Sequence, residues 1–382
     1  MAFFRNTTVN LLNLHYGVHA LALSGGGAFF AVFLLRAGVP APGVLASLAA
    51  ILIGRFCIRP FVLPLGKRFG LKPLVIAGTI LTALQYPLLA QVDGVGWALL
   101  ALCVVASIGD TFYWTSYHAY FASLGDSEHR GHQIGAREAI AAVVGIAAPL
   151  LTGWALVTVG PQIAFGVTAV VLMISALPLL KTPDIAVLDQ APGALRAALP
   201  GALIFAAGGL FASGFHFVWQ IALFISLGES FTAFGGAVAL AAVVGAVAGL
   251  VLGRFIDAGH GGWIVWLASG TAAAGVLARA AGYGDPTLAV AANALGALVM
   301  AIYTPVEMTA IYNQSQASPC SLRFQVAAEG GWDAGGAVGC LAAAGMLSLG
   351  APPSAAILIS LAGTACAFAL LRRYYRQAPQ IT

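Results

Sequence analysis

Twelve long apolar runs, separated by short turn-rich breaks, constrain this chain more than any motif it carries. About 20 apolar residues wound as a helix match the hydrocarbon thickness of a bilayer. Inside lipid each backbone polar group must find its partner within the segment, and a helix provides that. The runs cover 10–35, 43–65, 73–91, 97–123, 134–158, 162–181, 199–226, 231–252, 263–281, 287–316, 324–349 and 354–372. Gly38-Val39-Pro40, Gly160-Pro161, Gly284-Asp285-Pro286 and Ala351-Pro352-Pro353 supply turn chemistry at the breaks. Composition agrees: 60% of the 382 residues are hydrophobic and 8% charged, against about a quarter charged in soluble domains. A water-soluble enzyme is excluded, because one core cannot hide that much apolar surface. The 47 glycines suit helices that approach closely in lipid.

The net charge of +4 comes from scattered basic residues with no basic run, so nucleic acid is not an expected partner. Cys57, Cys103, Cys320, Cys340 and Cys366 lie in or beside apolar stretches without a CxxC pair, and read as small hydrophobes. Asn10, Asn13, His15 and His19 interrupt the first run, which lacks the pattern of a cleaved signal and is expected to be a retained helix. Lys and Arg favour cytoplasmic connections. With both termini cytoplasmic, Arg5, Lys67, Arg68, Lys72, Arg130, Lys181, Arg196, Arg254, Arg323, Arg372, Arg373 and Arg376 fall on the inner side. Only Arg36 and Arg279 fall in outer loops or helix ends. The connector Thr182 to Ala198 is the longest polar one, and predicts six-helix bundles over 1–181 and 199–382 joined by a linker at 182–198.

The halves echo each other. Tyr117 to Ser123 leads through Arg130 to Glu138 and Gly145, while Tyr312 to Ser318 leads through Arg323 to Glu329 and Gly336. Pro64-Leu65-Gly66-Lys67-Arg68-Phe69-Gly70-Leu71-Lys72 has a counterpart in Gly253-Arg254-Phe255-Ile256-Asp257-Ala258-Gly259-His260-Gly261. Parallel repeats of six helices are a transporter device. In span number, orientation and six-plus-six organisation the chain resembles the major facilitator superfamily along its whole length. The signature of that family after its second helix is approximately G-x-x-x-D-R-x-G-R-R. Arg68, Gly70 and Lys72 match it, Lys67 and Leu63 replace the aspartate and glycine, and the second copy keeps Gly253 and Asp257. The resemblance implies an all-α membrane protein of two pseudo-two-fold-related bundles that works by alternating access.

Ionisable side chains inside spans are costly and mark function by default. Arg55, Arg59, Asp110, Arg137, Glu138, Glu307, Glu329 and Asp333 qualify. Arg55 and Arg59 share a face of the second span, and Glu329 and Asp333 share a face of the eleventh, each four apart. Counted from the cytoplasmic ends, Arg59 matches Glu329 in depth and Arg55 matches Asp333. Helices two and eleven of the resembled fold face each other, so a two-rung ionic ladder closing the cytoplasmic side is expected, with Arg137 and Glu138 assigned to the same interdomain set. The alternatives are a static clamp, or arginines that bind an anionic substrate directly.

In the resembled fold, helices one, four, seven and ten line the cavity. Here they carry His15, His19, Asp110, Trp114, His118, His216, Gln220 and Glu307, read as the substrate and proton pathway. Asp110 and Glu307 are the expected proton carriers, with His15, His19 and His118 able to relay. The expected function is secondary active transport of a small organic solute, coupled to protons, by a monomer in the plasma or bacterial inner membrane. No cofactor, resident metal or enzymatic motif is read from the chain. A transition-metal carrier, an amphiphile or lipid carrier and a non-transporting assembly factor are the alternatives.

Overall fold

A computed structural model of the chain describes residues 7–124, 130–256 and 263–377, with side chains over 7–124, 143–248 and 263–377. We label the helical rods α1 (Thr7–Arg36), α2 (Ala41–Phe69), α3 (Leu71–Leu89), α4 (Trp97–Leu124), α5 (Arg130–Thr158) and α6 (Pro161–Lys181). There follow α7 (Leu199–Ser226), α8 (Phe231–Ile256), α9 (Trp263–Gly282), α10 (Pro286–Ala317), α11 (Ser321–Ser348) and α12 (Pro353–Gln377). Prolines open several of these rods, where the missing N–H would have no partner anyway: Pro42, Pro161, Pro286 and Pro353 each lie in a first turn. Gly160 and Gly284 turn the chain just before two of them with φ of 88° and 91°, a region that side-chain-bearing residues avoid.

Among the described residues ten helices are long and apolar enough to cross a membrane. The remaining two rods have identifiable reasons to fall short. The described apolar part of α5 is Val143–Thr158, and α11 carries Arg323, Glu329 and Asp333. The runs expected from hydropathy coincide with the helices to within a few residues.

Packing repeats at an interval of six helices. Helix α3 packs on α4 as α9 does on α10, and α1 packs on α5 and α6 as α7 does on α11 and α12. Likewise α2 packs on α4 as α8 does on α10, and α3 on α6 as α9 on α12. Contacts from 7–181 to 199–377 run mainly through α2 against α11 and α5 against α8, which exchange under the same interval. The paired glycines of the sequence echo occupy these seams: a side chain at Gly145 would meet Ala242 of α8, and one at Gly336 would meet Leu52 of α2. The glycine stripe of α11 packs instead on α7, where side chains at Gly331 and Gly335 would strike the carbonyls of Ala202 and Ala206.

Both ends of the seam are filled. At the face opposite the chain termini, Phe29 and Phe33 meet Phe231 and Phe234, with the Phe29 and Phe234 rings 5.3 Å apart. An exposed Arg36–Glu229 pair at 3.5 Å lies above them and contributes little. Towards the terminal face the seam holds charges.

Candidate functional site: a buried charge cluster between α2, α4 and α11

Arg55, Arg59, Glu329 and Asp333 are all buried. Arg55 Nε lies 2.9 Å from Asp333 Oδ1, and its terminal nitrogens lie 3.7 Å from both Asp110 and Glu329. Arg59 Nε donates to Asp333 Oδ2 at 3.0 Å, and its Nη2 pairs with the same oxygen. Its Nη1 donates to the Thr115 hydroxyl and lies 3.9 Å from Glu329. Glu329 is held by His118 Nδ1 at 2.6 Å. The set joins two arginines, three carboxylates and one imidazole, drawn from both sides of the seam.

Both expected rungs are present, Arg55 with Asp333 at 2.9 Å and Arg59 with Glu329 at 3.9 Å, and diagonal contacts join them into one cluster. Asp333 bridges both arginines, and Glu329 turns mainly to His118. Side chains lean towards the N-terminus of their own helix, and α2 and α11 run in opposite directions here. The Arg59 head therefore sits deeper than its Cα, the Asp333 head shallower, and the two meet across the rung. Asp110, Trp114 and His118 recur every four residues on α4. Asp110 and His118 belong to the charge cluster, and Trp114 stands between His19 and His118 at ring distances of 6.0 and 5.4 Å. The side chains of Arg137 and Glu138 lie outside the described residues.

His15 and His19 are fully buried among helices of the first half. His15 Nδ1 donates to the Ser175 carbonyl at 2.6 Å, which fixes the tautomer, so Nε2 accepts from the Tyr113 hydroxyl at 3.1 Å. His19 stacks on Tyr113 at 4.0 Å, and neither of its ring nitrogens has a hydrogen-bond partner among the described residues. Tyr113 stacks on Tyr117, whose ring lies 5.9 Å from His118, so an aromatic column links the two histidines to the cluster. Among the described residues no three His, Cys, Asp or Glu side chains group to hold a metal ion.

In the second half Glu307 is buried on α10, where Gly208 of α7 leaves room for its carboxyl. The Tyr303 hydroxyl donates to it at 3.4 Å, and among the described residues it has no cationic partner. His216 and Gln220 are half-buried on α7, His216 within a π-helical turn at Ser213–Val218. Arg279 lies in the last turn of α9, the helix end expected for it, and is buried there. Its guanidinium donates to the Phe215 carbonyl of that π-turn and lies 3.7 Å over the Phe215 ring. The π-turn frees a carbonyl from the ordinary ladder, and the long stem of Arg279 lets it reach inward from near the end of α9. Gly296 makes the space, since any side chain there would collide with the guanidinium. Gly296→Ala is expected to destabilise the protein by about 1–3 kcal/mol, read as a lowered Tm. Arg279→Gln should cancel part of that loss in the double variant; strictly additive effects would refute the contact.

The sequence model of the Major Facilitator Superfamily matches residues 14–277, well over half of the chain. The chain belongs to this superfamily. Its fold is similar to the crystal structure of an auto-inhibited POT family peptide transporter, with a TM-score of 0.69, 13% identity and 98% of each chain covered. No curated protein matches. This facilitator chain is accordingly an integral multi-pass membrane protein and a transporter, not an enzyme.

The superfamily loop between α2 and α3 shows how the missing first-half aspartate is replaced. Asp184, from the connector after α6, lays its carboxylate over Gly70 and accepts from the Lys72 backbone N–H at 3.0 Å. A carboxylate there complements the positive end of α3. Leu71 N–H donates to the Ile185 carbonyl at 3.1 Å. The Asp189 carbonyl then accepts from Lys67 at 2.6 Å and from Arg323 of α11 at 2.7 Å, tying both halves to the connector. Asp184 and Asp189 were missed by sequence reasoning, because their partners lie more than a hundred positions away and no local spacing signals them.

Proposed function

We propose that this chain is a proton-coupled secondary carrier of a small zwitterionic or anionic organic solute. Two six-helix bundles, 1–181 and 199–382, rock about the α2–α11 and α5–α8 seams, with 182–198 as linker and both termini in the cytoplasm. The six-helix interval of the packing supports the two-bundle reading. The charge cluster is the cytoplasmic-side gate. Arg55, Arg59 and Asp110 come from one bundle and Glu329 and Asp333 from the other, so opening that side must separate Arg55 and Arg59 from Glu329 and Asp333. Desolvation and pairing then set the balance between states.

The observation that carries the proton is the charge count. Two arginines face three carboxylates, which leaves the cluster one positive charge short of neutrality. A single proton, on His118 or on a carboxyl, closes that gap. Glu307 is the second carrier: a buried carboxylate without a cation is costly, whereas the acid is tolerated. His216 and Gln220 on α7 face the solute.

The test uses proteoliposomes with an imposed pH gradient and a panel of dipeptides and small carboxylates, chosen because the structural neighbour is a peptide transporter. Solute-dependent proton entry is expected, reduced at least tenfold by Glu307→Gln, while solute counterflow without a gradient persists. Counterflow with no accompanying proton movement would refute the coupling. A folded protein that moves none of the panel, yet co-purifies with a stoichiometric partner, would favour the assembly-factor reading.

A further inference from the structure

The terminal end of α12 carries charge that no ion pair among the described residues neutralises. Arg372, Arg373 and Arg376 are exposed and form no ion pair among the described residues. They border two adjoining surface grooves. One, of about 340 Å³, lies between α9 and α12 and is lined by Trp263, Trp266, Arg372, Tyr375 and Arg376. The other, of about 460 Å³, is lined by Phe368, Ala369, Arg372, Arg373, Arg376 and Gln377. Arg372 and Arg376 form the shared wall.

The walls are built, not incidental. Trp266 and Phe368 meet edge to face at 4.4 Å, and Arg372 sits over both rings at 5.3 and 5.8 Å. That stacking holds a guanidinium at the rim of an aromatic pocket. Trp263 and Trp266 are each about half exposed (49% and 57%), as suits the boundary between headgroups and acyl chains. Above the arginines, Ala362, Ala365 and Ala369 continue the same exposed face of α12 into the apolar zone. Small side chains there leave a shallow track for a hydrocarbon chain.

We infer that the groove between α9 and α12, with the adjoining groove on α12, forms a site for an anionic phospholipid of the cytoplasmic leaflet. Its phosphate lies between Arg372, Arg373 and Arg376, and its acyl chains run along Trp266, Phe368 and the alanine track. Charge complementarity selects the occupant: basic pockets between helices on the cytoplasmic side take acidic headgroups, and a planar guanidinium matches a phosphate through two parallel hydrogen bonds. The inference rests on the cytoplasmic placement of the termini proposed above, but not on transport, so its test reads lipid alone.

Full-length protein is extracted from nanodiscs of equal phosphatidylglycerol and phosphatidylcholine, and the retained lipid is measured by native mass spectrometry. Wild type is expected to retain phosphatidylglycerol preferentially, and 0.5 M salt in the extraction should erase the preference. Arg372→Gln/Arg373→Gln/Arg376→Gln should lower phosphatidylglycerol retention about tenfold or more. Trp266→Ala, which keeps all three charges, should weaken retention of both lipids. Equal retention of the two lipids by wild type would overturn the site. So would undiminished selectivity in the triple variant, or full displacement of phosphatidylglycerol by millimolar inorganic phosphate, which would show that the arginines need no lipid body. The salt series on wild type decides the matter even where a variant fails to fold.

Discussion

Asp333→Ala is expected to lower the stability of the purified protein by about 3–5 kcal/mol, the usual consequence of removing one partner from a buried ion pair. Asp333 is fully buried and is the carboxylate shared by Arg55 and Arg59. Its loss strands two guanidinium groups inside a span, with Glu329 at 3.7 and 3.9 Å as their nearest remaining acid across the seam. The melting temperature in detergent should fall accordingly. A double-mutant cycle separates this geometry from the depth-matched ladder. Coupling between Arg59 and Asp333 should exceed that between Arg59 and Glu329, and the combined reversal Arg59→Asp with Asp333→Arg should recover part of the loss. Larger coupling to Glu329 would mean that the helices pair by Cα depth and that the lean of the side chains does not matter.

Gly335→Val should cost up to about 3 kcal/mol and abolish transport, through overpacking. At Gly335 the backbones of α11 and α7 touch, and a branched side chain there has no space beside the Ala206 carbonyl. Forcing the helices apart also shifts Glu329 and Asp333, which lie within six residues on the same rod. Gly345→Ala, on α11 where no neighbour lies within reach, is the control. It should leave stability within about 0.5 kcal/mol. Equal losses at the two positions would refute the α7–α11 contact as the cause, since replacing glycine raises helix propensity at both.

Much of the architecture was legible before any coordinates. Apolar runs of bilayer length gave the rods, because helices in lipid must satisfy their backbones internally. Proline and glycine marked most breaks, since their effects are local. The echo of Gly145 and Gly336 marked residues that both lie at the two seams, because duplicated packing preserves small residues where helices touch. The cluster was half legible. Arg55, Arg59, Glu329 and Asp333 stood out as charges too costly to bury without partners. Depth matching paired Arg55 with Asp333 and Arg59 with Glu329, but the further contacts of Asp333 with Arg59 and of Glu329 with His118 were not legible, since they depend on the lean of side chains and on a third helix.

Composition and periodicity thus dictate a helical membrane protein with a cationic face on α2 and an acidic face on α11. These follow from spacing along a single rod and from the energetic penalty of charge in hydrocarbon. Three-dimensional packing alone assigns Asp333 to both arginines, brings Asp110 and His118 into the same cluster, turns Arg279 inward onto the π-turn of α7, and lays Asp184 over Gly70. Each of those contacts joins residues some fifty to three hundred positions apart, and their energies depend on distance, burial and orientation, which no stretch of sequence encodes locally.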